Sequence, residues 1–144
     1  MSAQREKTAH EQPTPWYRGA DVSMSVIRRF ARQVAERFHP EKIILFGSHA
    51  YGQPRADSDV DILVIMPCRN QLDQAFKIRL AVSAPFSMDL IVRTPKNIAW
   101  RLKEGESFHT EIVNKGKVLY EKGDTGMGRQ SRRRLPSRQV SRAK

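Results

Sequence analysis

The sequence predicts an α/β (α+β) domain. Three observations carry that expectation. Apolar runs of strand length, Lys42–Phe46, Asp59–Met66 and Phe86–Arg93, alternate with stretches of helical spacing. The 144 residues give room for one core, and 39% of them are hydrophobic. A mean hydropathy of -0.60 then assigns the polar excess to appendages rather than to that core.

Residues 1–22 are polar, hold Pro13 and Pro15 and show no periodicity, so they read as a flexible N-terminal arm. Within it Trp16 and Tyr17 either dock on the domain or stay exposed. From Ser23 the spacing turns helical: Val26, Ile27, Phe30, Ala31, Val34 and Phe38 share one side, and Arg28, Arg29, Arg32, Glu36 and Arg37 form a solvated face. His39-Pro40 ends this helix, because a residue before proline avoids the helical region. Lys42–Phe46 is a short buried strand, Gly47-Ser48 a turn into a brief helix over 49–51, and residues 52–58 a loop. Asp59–Met66 is the second strand, closed by Pro67. A helix over 71–81 places Leu72, Ala75, Phe76 and Leu80 on one side. Phe86–Arg93 is the third strand. Thr94-Pro95 is a helix start, with threonine as cap and proline in the first turn. Gly105 breaks that helix, and Phe108, Ile112 and Val113 belong to another that ends at Gly116. Lys117–Tyr120 is a last short strand. Residues 23–122 therefore form the domain, and residues 123–144 are expected to be a basic disordered tail.

Composition excludes several classes. No apolar run approaches the roughly 20 residues that span a bilayer, and the N-terminus has no apolar signal core. Cys68 is the only cysteine, so no internal disulfide forms and a cytoplasmic setting is expected. Basic residues exceed acidic ones by 11, but seven of the basic side chains stand between Arg129 and Lys144 with no acid among them. The nucleic-acid reading of that charge thus belongs to the tail. His10, His39, His49 and His109 show no metal-ligand spacing. Lys77 and Arg79 neutralise phosphate only if their helix faces the site, and otherwise sit on a solvated face.

The chemistry lies in the acids. Side chains alternate along a strand, so Asp59 and Asp61 point the same way, with Cα atoms about 6.5–7 Å apart. Such oxygens can converge on hard cations such as Mg²⁺. Two such ions about 3.5–4 Å apart activate an attacking oxygen and stabilise a leaving one. Asp89 is a third acid, flanked by Met88 and Leu90, where an unpartnered carboxylate is costly. Beside the others it would ligate metal or take the proton of an incoming hydroxyl. Gly47 lets backbone N–H groups approach phosphate, and the Ser48 hydroxyl can donate to it. Ser58 either does likewise or caps the turn before Asp59.

The pieces Ile43-Ile-Leu-Phe-Gly47-Ser48, a ten-residue spacer, Asp59-Val-Asp61-Ile-Leu-Val64 and Met88-Asp89-Leu-Ile-Val92 resemble the minimal nucleotidyltransferase family of the DNA polymerase beta-like superfamily. The likeness runs over roughly residues 24–122. It implies a mixed β-sheet flanked by helices, Mg²⁺ (two ions), ATP or another nucleoside triphosphate as substrate, and transfer of a nucleoside monophosphate with release of pyrophosphate. It implies Asp59 and Asp61 as catalytic metal ligands, Asp89 as the third catalytic and metal-binding acid, and Gly47 and Ser48 as the triphosphate-binding turn, with Ser58 a nucleotide-binding candidate from its place before Asp59. Many members carry arginine where this chain has Tyr51; Arg55 either replaces that charge or is an exposed loop residue. Stand-alone members resemble the antitoxin of HEPN–MNT toxin–antitoxin pairs, which attaches AMP to a hydroxyl of a helical ribonuclease toxin. Two other functions compete with this expectation: a non-catalytic module that inhibits a partner by covering it, and a protein that binds nucleic acid through its basic tail.

Overall fold

Apolar residues at helical spacing begin the described fold. In a computed structural model that describes residues 16–123, they form helix α1, Met24–Phe38, capped by the Ser23 hydroxyl on Val26 N–H. The helix stops at His39, which adopts a left-handed conformation (φ 50°) before Pro40. Strand β1 (Lys42–Phe46) leads through a four-residue helix, α2 (Ser48–Tyr51), and a loop to β2 (Val60–Ile65). Helix α3 (Gln71–Ala81) then crosses to β3 (Met88–Arg93). Helices α4 (Pro95–Lys103) and α5 (Ser107–Lys115) follow, and β4 (Lys117–Glu121) is the last element. Thr94 caps α4 on Asn97 N–H, with Pro95 in the first turn.

The sheet is mixed, in the order β3-β2-β1-β4. β1 runs antiparallel to both β2 and β4, and β2 runs parallel to β3, because α3 carries the chain back to the end where β2 began. A mixed sheet flanked by helices is what the resemblance implies, and the structure has it. Alternation then divides the core. Ile43, Leu45, Ile62, Val64, Leu90 and Val92 meet α1 and α3 on one face. Ile44, Phe46, Leu63 and Ile65 meet Ile98 of α4 and Ile112 of α5 on the other.

Two features depart from the sequence reading. Of the side predicted for α3 only Ala75 is buried, beside Ile78 and Val82; Leu72, Phe76 and Leu80 face outward. The helix is apolar on two sides, and spacing alone does not say which one meets the sheet. Residues 16–22, placed in the arm, lie against the domain. Tyr17 N–H donates to Pro85 C=O (2.9 Å), Val22 is buried, and Trp16 is exposed. Residues 1–15 of the arm and 124–144 of the tail lie outside the described residues, as does His10. Cys68, after Pro67, is half-buried.

Candidate active site

Three chain segments meet at one end of the sheet: the exit of β1 and the entries of β2 and β3. Val60 N–H donates to Ser87 C=O (2.9 Å), which starts the parallel ladder. The register that follows sets Asp61 beside Asp89. On its other side Asp61 stands opposite Phe46, the residue before Gly47. Adjacent strands are about 4.8 Å apart, so two acids and the glycine turn occupy consecutive places across the sheet. Asp59 sits just before β2, two residues from Asp61, near enough for its charge to act on the Asp61 carboxyl.

Gly47 has φ 76° and ψ -164°, a conformation that favours glycine, and a Cβ there would overlap the Asp61 carboxylate. The glycine is therefore fixed twice, by backbone shape and by the acid that packs against it. Ala50 and Tyr51 N–H both turn back to Gly47 C=O (2.9 and 3.0 Å). That leaves the first-turn N–H groups of Ser48 and His49 without an intrahelical partner. The Ser58 hydroxyl accepts from Arg55 N–H at 2.7 Å, which is turn capping; its proton stays available to another acceptor. His49 is buried, and its Nε2 has no hydrogen-bond partner. Tyr51 and Arg55 are exposed.

Asp61 is half-buried, and Asp59 and Asp89 are exposed. Burial pushes the Asp61 carboxyl up to about 6, and the like charges of Asp89 and Asp59 push the same way. Every one of these influences disfavours its charged form, and a cation between the three carboxylates would offset them. The donor set thus fits a divalent ion in charge and in chemistry. Among the described residues no three His, Cys, Asp or Glu side chains are already gathered as an ion site.

Arg79 lies along the edge of β3. Both of its terminal nitrogens donate to Met88 C=O at 3.3 Å, next to Asp89. Lys77 pairs instead with Asp73 on the surface (3.7 Å). Leu72 and Phe76 line a groove of about 530 Å³ that reaches Asp89. Sequence reasoning missed that groove; the available signal was a helix with more apolar residues than one face can use. A larger hollow of about 790 Å³ lies between Trp16, Tyr17, α1 and the loop after α3, and none of the three aspartates lines it.

Elsewhere on the acids' face, Glu106 Oε1 holds His109 Nδ1 (2.6 Å) at the start of α5. Hydrogen bonds from the His109 backbone and side chain hold the Glu106 carboxyl below its usual range. Phe108 packs edge-on against Phe46 at 5.8 Å, behind the glycine turn.

Residues 27–115 match the family model described as nucleotidyltransferase domain, which is more than half of the chain. A protein of Methanocaldococcus jannaschii named as a protein adenylyltransferase is 28% identical over 104 residues, 65% of this chain and 94% of that protein. Among solved structures, a nucleotidyltransferase from Sulfolobus solfataricus is similar at a TM-score of 0.46 and 17% identity, over 67% of this chain and 78% of that one. A mutant of the toxin–antitoxin complex MntA–HpeT is similar at a TM-score of 0.44 and 18% identity, over 67% and 75%.

Proposed function

We propose, for a chain that belongs to the nucleotidyltransferase domain family, that it moves AMP from ATP to a hydroxyl of a partner protein. The observation that carries this reading is the parallel register that sets Asp61 beside Asp89 at the exit of the Gly47 turn. The relative named as a protein adenylyltransferase, matched over 94% of its length, supports a protein as acceptor.

In this reading the acceptor oxygen attacks the α-phosphorus. A new P–O bond forms, the bond from that phosphorus to the bridging oxygen breaks, and pyrophosphate leaves. The hydroxyl proton passes to the Asp89 carboxylate. Ser48 and the first-turn N–H groups hold the triphosphate, with Ser58 donating where its turn allows. Asp59, Asp61 and Asp89 would hold Mg²⁺, which when bound supplies neutralising charge for the phosphates. The partner proposed is a HEPN-type ribonuclease toxin, silenced by the modification, and the setting proposed is the cytoplasm.

The test uses labelled ATP, Mg²⁺ and the protein encoded by the adjacent reading frame. Label on that protein, with release of pyrophosphate, is the expected result. No label across nucleotides and metals overturns the reading. A second reading, inhibition by coverage alone, is favoured by the outward apolar side of α3. A variant lacking all three acids that still neutralises the partner would establish it.

A further inference from the structure

Helix α3 is apolar on two sides. Ala75, Ile78 and Val82 are buried in the core, whereas Leu72, Phe76 and Leu80 are 82%, 59% and 72% exposed. Steps of four residues stack these three side chains into one stripe along the helix. A solvent face ordinarily carries charge at such positions, and a contiguous apolar patch marks an interaction surface. Leu72 and Phe76 form one wall of the groove, and Asp89 and Leu90 of β3 form the other.

β3 is also an edge strand. The bond from Val60 N–H to Ser87 C=O fixes the phase of the parallel ladder, so Met88, Leu90 and Val92 turn their backbone polar groups outward. Arg79 occupies Met88 C=O, Arg93 occupies Val92 C=O, and Gln71 occupies Thr94 N–H. Among the described residues the Leu90 N–H and C=O are left open on this edge, at the floor of the groove.

We propose that this groove docks an apolar segment of the acceptor protein, laid on Leu72 and Phe76 and paired with the open edge at Leu90. The docked segment brings its hydroxyl to Asp89. This rests on the transfer reading above and adds where the acceptor binds. The other occupants fit less well. A nucleotide has no use for a leucine-sized stripe running two turns along a helix. Within this chain, residues 1–15 and 124–144 bring only Met1, Met127, Leu135 and Val140 as large aliphatic side chains, none within four residues of another. A second copy paired through α3 would cover Asp89 in both molecules. A partner's segment, by contrast, is continuous with the acid it must reach, and apolar anchors beside an open edge are how sheets take up added strands.

The experiment compares the wild type with the double variant Leu72→Ser, Phe76→Ser, after a thermal melt confirms that both are folded. The probe is the protein encoded by the adjacent reading frame. Transfer of label and direct binding are measured separately. The expected result is a rise of tenfold or more in the KM for that protein, with the KM for ATP and kcat at saturating acceptor retained. Unchanged acceptor KM overturns the groove and leaves the transfer reading standing. Binding that the double variant loses, with no transfer by the wild type, supports the groove and removes the transfer reading. Neither binding nor transfer by the wild type overturns both. A wild-type dimer in sedimentation that the double variant dissociates makes the occupant a second copy and overturns the proposal.

Discussion

Asp61 is held in a state that favours its neutral form. Its carboxyl is raised to about 6 by burial, then by Asp89 and Asp59. A carboxyl raised on folding binds its proton more tightly in the native state. The stability it lends is complete below its unfolded value of 3.8 and is lost as pH rises through about 6. Asp61→Asn should therefore abolish nucleotidyl transfer and yet raise the thermal midpoint at pH 7. The gain is on the order of 1 kcal/mol, since a half-exposed carboxylate is partly screened. Melts at pH 5 and pH 7 in chelator check this, and the gap between variant and wild type should narrow at the lower pH. Gly47→Ala should do the opposite and lower both activity and stability. The backbone strain costs about 1–3 kcal/mol, and the added methyl displaces the Asp61 carboxylate. Transfer assays and denaturant titration read the two losses. Both residues were legible in the sequence as types at a spacing. Their contact was not, because a turn's dihedral angles and a neighbour's rotamer leave no mark in the order of residues.

At the scale of elements, periodicity located the helices and alternation located the strands. The boundaries of α1, β1 and α3 follow directly from Ser23 and Pro40, from Gly47 and from the apolar spacing. The orientation of α3 did not follow, since Leu72 and Ile78 are equally apolar and only the sheet decides between them. The two sides should respond differently to truncation. Ile78→Ala is expected to cost about 2–5 kcal/mol, as a fully buried aliphatic side chain. Leu72→Ala should cost less than about 0.5 kcal/mol. Urea titration of both variants tests the assignment, and a comparable loss for Leu72 would place that side chain in a packed environment. The fate of the β3 edge was equally hidden, because Met88, Val92 and Thr94 are partnered by side chains, those of Arg79, Arg93 and Gln71, rather than by a strand.

At the scale of the molecule, the acids become neighbours only through topology. A run of strands and helices does not reveal that β2 and β3 are parallel and adjacent; the α3 crossover produces that. If the acid set holds Mg²⁺ with ATP, adding both should raise the wild-type thermal midpoint through mass action. Asp61→Asn should show little of that rise, and a melt series in nucleotide and metal measures it. Seven of the basic side chains behind the net charge of +11 lie between Arg129 and Lys144. Removing residues 126–144 should weaken RNA retention at low salt and make its salt dependence shallower. Filter binding at two salt concentrations decides this, and unaltered retention removes the tail from consideration.

The segment ahead of α1 touches both loops that lead into β2 and β3. Tyr17 bridges to Phe86, just before β3. Gly19 packs so closely on the carbonyls of Arg55 and Ala56 that a side chain there would collide with them. One short stretch therefore clamps the approaches to Asp59 and to Asp89 at once. A version trimmed to begin at Ser23 would keep every α-helix and all four strands of the sheet and still lose its aim, and an affinity handle fused close to Trp16 would press on the same clamp.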